Sequence, residues 1–189
     1  MFEVDSLLSS GADLDSRDFE NLGFSAMHYA ARAGRCAVLA LLAARGADIN
    51  AEDDCFSTPL HIAASGCHDA AVAVLLEIGA RTNKTNDCGY TPLHCAASAG
   101  ASGVAERLLA AGAAPDARDL RGRTAARIAE ELADEGMDRR NVLRALTGSA
   151  GSAAGPSAQV VRHPPDTEAC GGTSRRMCRD CLRRSHARG

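Results

Sequence analysis

The residues best suited to chemistry lie near the carboxyl end of the chain, where cysteine and histidine recur as Cys170-x7-Cys178-x2-Cys181-x4-His186. Three thiolates and one imidazole could bind zinc with tetrahedral geometry. A strong zinc signature contains two closely spaced pairs, however, and Cys170 has no near partner. The segment also has few apolar residues to pack around a metal. The spacing therefore favours a disordered tail over a structural zinc site.

The tail that contains these residues, 147–189, differs in composition from the rest of the chain. It opens with a Gly/Ser/Ala-rich linker and ends in an arginine-rich stretch, a composition typical of flexible, disordered segments. Its net charge is +4, whereas residues 1–146 carry −7. The arginines could contact nucleic-acid phosphates or act as a nuclear-import patch. A solvated, inert tail is the favoured interpretation.

Three other histidines, His28, His61 and His94, follow one another at intervals of 33 residues. Each lies three residues after a Ser or Thr, where an imidazole can bond back to a helix cap. Because they are not clustered, we expect them to be structural, not metal ligands or bases. There is also no phosphate-binding glycine loop, Ser/His/Asp set or paired-carboxylate site. The sequence therefore predicts no catalytic residues, no cofactor and no enzyme.

The elements around these histidines repeat with the same period. Residues 91–97 read Thr-Pro-Leu-His-Cys-Ala-Ala, and related segments occupy 58–64, 25–31 and, in altered form, 124–129. Thr is a good helix N-cap, Pro suits the first helical position, and a later Gly can end a second helix. Each unit is thus predicted to be a pair of short helices. One unit cannot bury its apolar face alone, so the units must stack.

A Thr-Pro-Leu-His-x-Ala motif at this period resembles the ankyrin-repeat family over about residues 1–146. The resemblance implies an all-α repeat fold, an ankyrin-type α-solenoid of helix-turn-helix units with β-hairpin fingers, followed by the disordered tail. We delimit a half unit at 1–20, a C-terminal cap at 120–146, and full units at 21–53, 54–86 and 87–119. The half unit is either an economical cap or the mark of a truncated gene product. Two extra residues lengthen the first finger, and the inward stripe of the cap is Val142, Leu143 and Leu146.

The resemblance also implies a protein-binding module whose concave face is made by the fingers and the first helices. Carried over residue by residue, the partner-binding positions are Asn21, Leu22, Phe24, Arg32, Asp54, Cys55, Phe56, Ser57, Asp87, Cys88, Tyr90, Leu120, Arg121 and Arg123, with Ser65 and Ser98 beside them. Aromatic and arginine residues dominate measured interface energies. The expected anchors are therefore Phe24, Phe56, Tyr90, Arg121 and Arg123.

The unit at 54–86 departs from the pattern at two positions. Phe56 replaces the glycine found at Gly89 and Gly122, and Cys67 replaces the glycine found at Gly34 and Gly100. If those glycines have positive φ, Phe56 is a strained turn residue with an exposed ring, kept for contact with a partner. Alternatively, this finger takes a different turn and the ring packs over a neighbouring cysteine.

Composition limits the remaining possibilities. The chain has no Trp and only two Tyr and four Phe, which suits thin stacked layers better than one thick core. Equivalent cysteines such as Cys55 and Cys88 lie in neighbouring layers, which should be too far apart for a disulfide. These features favour a reducing cytosolic or nuclear setting. There is no secretory signal, and no run of 18 apolar residues that would insert into a membrane.

Two alternatives to a protein-binding module stay open. One is a nuclear regulator whose basic tail contacts nucleic acid. The other is a spacer fragment of a larger ankyrin protein, suggested by the half unit at the start.

Overall fold

A computed structural model describes residues 14–18, 20, 22–132 and 137–148, and these residues form four helix pairs. The first helices of the pairs are α1 (Ala26–Arg32), α3 (Pro59–Ser65), α5 (Pro92–Ala99) and α7 (Ala125–Glu131). The second helices are α2 (Cys36–Ala44), α4 (Asp69–Glu77), α6 (Ser102–Ala110) and α8 (Met137–Gly148).

The first helices begin where the cap residues predict. Ser25, Thr58, Thr91 and Thr124 are their N-caps, and proline occupies the first turn of α3 and α5. The glycines that follow the second helices have positive φ, at Gly46, Gly79 and Gly112. Only glycine adopts this helix-ending conformation without steric cost. Local residue preferences therefore fix both ends of each unit.

The helix pairs stack into two layers. Each first helix packs on the next first helix, and each second helix packs on the next second helix. The core between them is one continuous cluster of Leu, Ala, Val and Ile, in which Leu39, Leu60 and Leu93 are fully buried. The alanine pairs of α1, α3 and α5 are buried as well. Their small side chains let neighbouring helices approach closely, as the sequence predicts.

The last pair closes the described part of the stack. Val142 and Leu146 of α8 are buried and Leu143 packs against the core, which confirms the predicted inward stripe. Helix α8 ends at Gly148, two residues beyond the predicted end of the cap. Most of the predicted half unit at 1–20 lies outside the described residues. So do residues 149–189, including the four candidate zinc ligands.

The fingers between the pairs are turns without strands. Among the described residues the single β contact is an isolated antiparallel bridge between Asp18 and Phe24. The expected β-hairpins are therefore reduced to short hydrogen-bonded loops, because each finger is too short for a ladder. None of the described helices has the length and apolar character needed to span a membrane.

Candidate functional site

Four fingers line up along one edge of the stack. We define finger 1 as residues 18–24, finger 2 as 53–57, finger 3 as 86–90 and finger 4 as 119–123. A backbone hydrogen bond of 2.9–3.0 Å runs from the first residue of each finger to the carbonyl of its last residue. Finger 1 spans seven residues where each of the others spans five, which accounts for the two extra residues in the sequence.

The first residue of each finger also fixes the loop with its side chain. In fingers 2, 3 and 4 this residue is Asp53, Asn86 and Asp119, and its Oδ1 accepts two backbone N–H groups of the same finger at 2.8–3.0 Å. Such an Asx-type turn replaces a strand ladder as the element that holds the loop. We call these three residues the finger acceptors.

A backbone hydrogen bond joins each finger to the one before it. The second residue of a finger donates its backbone N–H to a carbonyl of the preceding finger: Asp54 to Leu22 at 2.9 Å, Asp87 to Cys55 at 3.0 Å, and Leu120 to Cys88 at 3.2 Å. The four loops therefore form one connected row.

The repeated histidines attach this row to the helices. In His28, His61 and His94 the Nδ1 accepts the N-cap backbone N–H at 3.1–3.2 Å, and the N-cap hydroxyl lies 2.9 Å away. The opposite Nε2 donates to the last carbonyl of the next finger at 2.9–3.1 Å. His68 similarly donates across units, to the Arg32 carbonyl at 2.9 Å. Burial lowers the pKa of the first three, that of His61 to about 4. They are structural links held neutral at pH 7, as the sequence predicts.

Finger 2 contains a buried carboxylate that is only half satisfied. Asp53 is 3 % exposed, and its Oδ2 has no hydrogen-bond partner among the described residues. Burial raises its pKa to about 6, against the effect of the N–H groups of Ser57 and Cys55. The carboxylates of Asp54 and Asp87 raise it further.

Finger 4 contains the same kind of carboxylate with a cation beside it. The Arg123 guanidinium donates to Asp119 at 2.9 Å, to Glu131 at 3.0 Å and to the Tyr90 hydroxyl at 2.7 Å. Burial opposes ionisation of Asp119, but the N–H groups of Arg123 and Arg121 and the guanidinium together lower its pKa. Arg123 is therefore mainly a clamp between finger 3, finger 4 and α7.

Two residues of the second full unit have left-handed backbone. Phe56 has φ 57° and Cys67 has φ 56°, like the glycines that they replace, and Leu22 in finger 1 has φ 64°. The predicted strain at Phe56 is thus present, of order 1–3 kcal/mol for a bulky side chain. The ring is 57 % exposed.

Family profiles agree with this geometry. The profile for ankyrin repeats in many copies matches residues 7–63 and 75–129, and that for the single ankyrin repeat matches 56–87. The chain belongs to the ankyrin-repeat family. No curated protein gives a match. Ankyrin repeats are generally protein–protein interaction modules, a non-enzymatic fold, so the fingers and first helices are the surface to consider.

The ankyrin fingers present the predicted positions unequally. Arg32, Asp54, Phe56, Leu120 and Arg121 are exposed. Leu22, Asp87, Cys88, Tyr90 and Arg123 are half-buried, as are Ser65 and Ser98. Phe24, Cys55 and Ser57 are buried, and Asn21 lies outside the described residues. The connected row of fingers thus brings most of the predicted set onto one surface.

Phe24 is the main correction to the expected anchors. It is 5 % exposed, and its ring stacks on His28 with the ring centroids 5.3 Å apart. Tyr90 stacks on His94 in the same way, at 5.6 Å. The residue before the N-cap therefore turns its ring onto the imidazole of its own repeat, not toward a partner.

Sequence reasoning underrated two features of this surface. Leu120 is 76 % exposed, yet it was not among the expected anchors. The finger acceptors were not recognised, although Asp or Asn recurs at period 33 just before each finger tip. Two further bonds between units were also missed. The side chains of Asn50 and Asn83 accept backbone N–H groups of the following unit at 2.8 Å.

The cysteines and acidic residues of the described part offer no metal site. No group of three His, Cys, Asp or Glu residues there could hold an ion. The five cysteines in this part are thiols and not disulfides. Burial raises the pKa of Cys95 to about 12, so this thiol is unreactive at neutral pH.

Proposed function

We propose that the row of fingers, with the adjoining ends of the first helices, binds a partner protein. The observation that carries the proposal is the exposure of Phe56 and Leu120, both on finger tips. Among the described residues, Tyr29 is the one other large hydrophobic side chain that is exposed, and its hydroxyl donates to Asp18, the first residue of finger 1. Apolar side chains concentrated on one edge are typical of interaction sites.

The construction of the fingers supports this proposal. Each of fingers 2 to 4 is fixed by a side-chain acceptor, a closing backbone bond and a histidine bond from the preceding unit. A surface that is already ordered loses little conformational entropy on binding. We expect the exposed residues Asp54, Phe56, Leu120 and Arg121 to contact the partner directly. Arg32, the last residue of α1, lies at the end of that helix remote from the fingers. The half-buried positions and Ser57 would shape the surface.

The experiment is affinity capture with quantitative mass spectrometry, using the full-length chain as bait. The test variant carries Phe56→Ser and Leu120→Ser, both at exposed positions. The matched control is Arg35→Glu, an exposed residue in the turn after α1, at the end of that helix remote from the fingers. We expect a set of proteins to be retained by the wild type and the control and lost by the test variant. Identical sets for all three baits would contradict the proposal.

A fourth bait separates the tail from the stack. Removing residues 149–189 should leave the captured set unchanged if the fingers bind. If the captured set instead disappears with the tail and falls steeply with salt, the alternative of a nucleic-acid-binding tail is correct.

A further inference from the structure

Charge divides the row of fingers into two unequal parts. Fingers 1 to 3 contain five carboxylates, those of Asp18, Glu20, Asp53, Asp54 and Asp87, and no basic residue. The cations beside them are paired: Arg17 with Asp54 at 2.8 Å, and Lys84, two residues before finger 3, with Glu52, directly before finger 2. Fingers 1 to 3, the acidic part of the row, therefore keep a net negative charge after these pairs are counted.

Finger 4 has the opposite balance. Its single aspartate is neutralised by Arg123, whereas the Arg121 side chain is exposed. Arg118, directly before the finger, is also exposed and donates to the Gly122 carbonyl at 2.8 Å, which holds its guanidinium at the finger. Two guanidinium groups thus project at the end of the row where the acidic side chains stop.

Each charged part carries one of the exposed apolar tips. Phe56 lies in the acidic part, and Leu120 lies beside Arg121 in the basic part. Two repeats separate them, and stacked helices lie about 8–10 Å apart, which places the two tips roughly 16–20 Å apart. An extended chain advances about 3.3 Å per residue, so about five or six residues would span this distance.

We propose that the fingers bind an extended segment of a partner protein with two apolar residues about five or six positions apart, one next to Lys or Arg and the other next to Asp or Glu. The basic end lies over fingers 1 to 3 with its apolar residue against Phe56. The acidic end lies over finger 4 with its apolar residue against Leu120. This inference rests on the proposed function and specifies the partner. Complementary charge sets the orientation of the segment, and the two apolar contacts supply most of the affinity.

The test is selection from a display library of random peptides of about 12 residues, which reach about 36–40 Å when extended. Full-length protein is the bait, and the Phe56→Ser, Leu120→Ser variant removes peptides that bind elsewhere. We expect enriched sequences with the stated spacing and charge order. Each single serine substitution should weaken their binding at least about tenfold, the effect typical of an interface anchor.

Charge is tested separately with Arg121→Glu. This variant should bind the selected peptides more weakly than the wild type does. Replacing the acidic residue of these peptides by Lys should restore their binding to the variant. Arg35→Glu is the control and should change affinity less than about twofold, because an exposed charge remote from the site contributes little.

Each other outcome overturns the inference. Peptides that need both tips but show no charge order would disprove it and leave the proposed function standing. Peptides whose binding is unchanged by either serine substitution would count against both this inference and the proposed function. If no peptide is enriched, or if the chain instead self-associates through the fingers in sedimentation experiments at low salt, the occupant is not an extended partner segment.

Discussion

Finger 2 and finger 4 have the same type of loop, but the buried aspartate of that loop has opposite pKa shifts in the two fingers. In both, an aspartate accepts two N–H groups of its own finger. Finger 4 adds Arg123 at the last position, where finger 2 has Ser57. The arginine lowers the pKa of Asp119, whereas Asp53 without one has a pKa raised to about 6. Burial opposes ionisation in both fingers, and the nearby charges then act in opposite directions: the Arg123 guanidinium lowers the pKa of Asp119, whereas the carboxylates of Asp54 and Asp87 raise that of Asp53.

The fourth residue of the loop also makes finger 4 the more stable of the two. Finger 4 has Gly122 with φ 74°, which is free of strain, whereas finger 2 has Phe56 at φ 57°. Finger 2 thus combines a buried carboxylate, one oxygen of which has no hydrogen-bond partner among the described residues, with a strained, exposed aromatic ring. Natural proteins tolerate such local weaknesses mostly at functional sites. The comparison supports finger 2 as a loop kept for contact at a cost in stability, whereas finger 4 presents Leu120 and Arg121 on a stable loop.

Removing the two aspartates should show the largest difference. Asp119→Ala leaves Arg123 without its main partner and two N–H groups without an acceptor, so we expect a loss of about 3–5 kcal/mol. Asp53→Ala also frees two N–H groups but removes an unfavourable buried charge, and its loss should be about 1 kcal/mol or less. Urea unfolding at pH 7 measures both. Equal losses would mean that Arg123 contributes nothing to finger 4.

Acid should weaken the row of fingers through the three histidines that attach it to the helices. His28 and His94 stay neutral in the fold below the pH at which the unfolded chain takes up protons, and His61 does so down to about pH 4. Because the folded pKa lies below the unfolded value, stability is lost as pH falls from about 6.5 toward 4. The loss should be about 2–3 kcal/mol for His61 alone.

The variant His61→Gln tests this acid sensitivity. It should be less stable than the wild type at pH 7 but should lose less stability between pH 6.5 and 4. Parallel pH curves for the two proteins would show that His61 does not titrate as stated.

Replacing each aspartate by asparagine should change the stability in opposite directions in the two fingers. Asp53→Asn should stabilise the fold by about 1–2 kcal/mol at pH 7, because Asn86 shows that an amide can serve as a finger acceptor. Asp119→Asn should destabilise it by about the same amount, since Arg123 loses a charged partner.

The size of the Asp53 effect depends on pH. The folded pKa of about 6 lies above the unfolded value, so the wild type gains stability as pH falls from about 6 toward 4. The advantage of Asp53→Asn should therefore vanish below pH 4. An advantage that is constant with pH would show that the charge of Asp53 is not its cause.

The smallest effect concerns the finger tips. Phe56→Gly relieves a left-handed backbone strain and should raise stability by about 0.5–1 kcal/mol after the entropy of an added glycine is deducted. The matched change is Gly122→Ala in finger 4, which should lower stability by about 1 kcal/mol. A Cβ at Gly122 would meet nothing within 4 Å, so this change tests backbone strain alone. A lower melting temperature for Phe56→Gly would show that contacts of the ring outweigh the strain.

The repeated sequence motif predicted the fold and the backbone but not the direction of every side chain. Cap residues, proline and glycine act within a few residues, so the helices could be predicted, and one of the two turns considered for Phe56 was the left-handed one observed. The burial of Phe24 did not, because it depends on a ring stacking across the cap. The clamp of Arg123 likewise needs Tyr90 and Glu131, which lie 33 and 8 positions away.

The histidine bonds give the array a direction. Each imidazole donates forward, from its own repeat to the finger of the next, so every repeat with a histidine requires a successor. A protein cut after such a repeat would lose the acceptor of its imidazole N–H, and the uncovered imidazole would bond water instead of the next finger. Arg127 occupies the histidine position in the last unit, where it pairs with Glu130 and Glu131 of its own helix. Such a repeat needs no hydrogen-bond acceptor from a following repeat, and it can therefore end the stack.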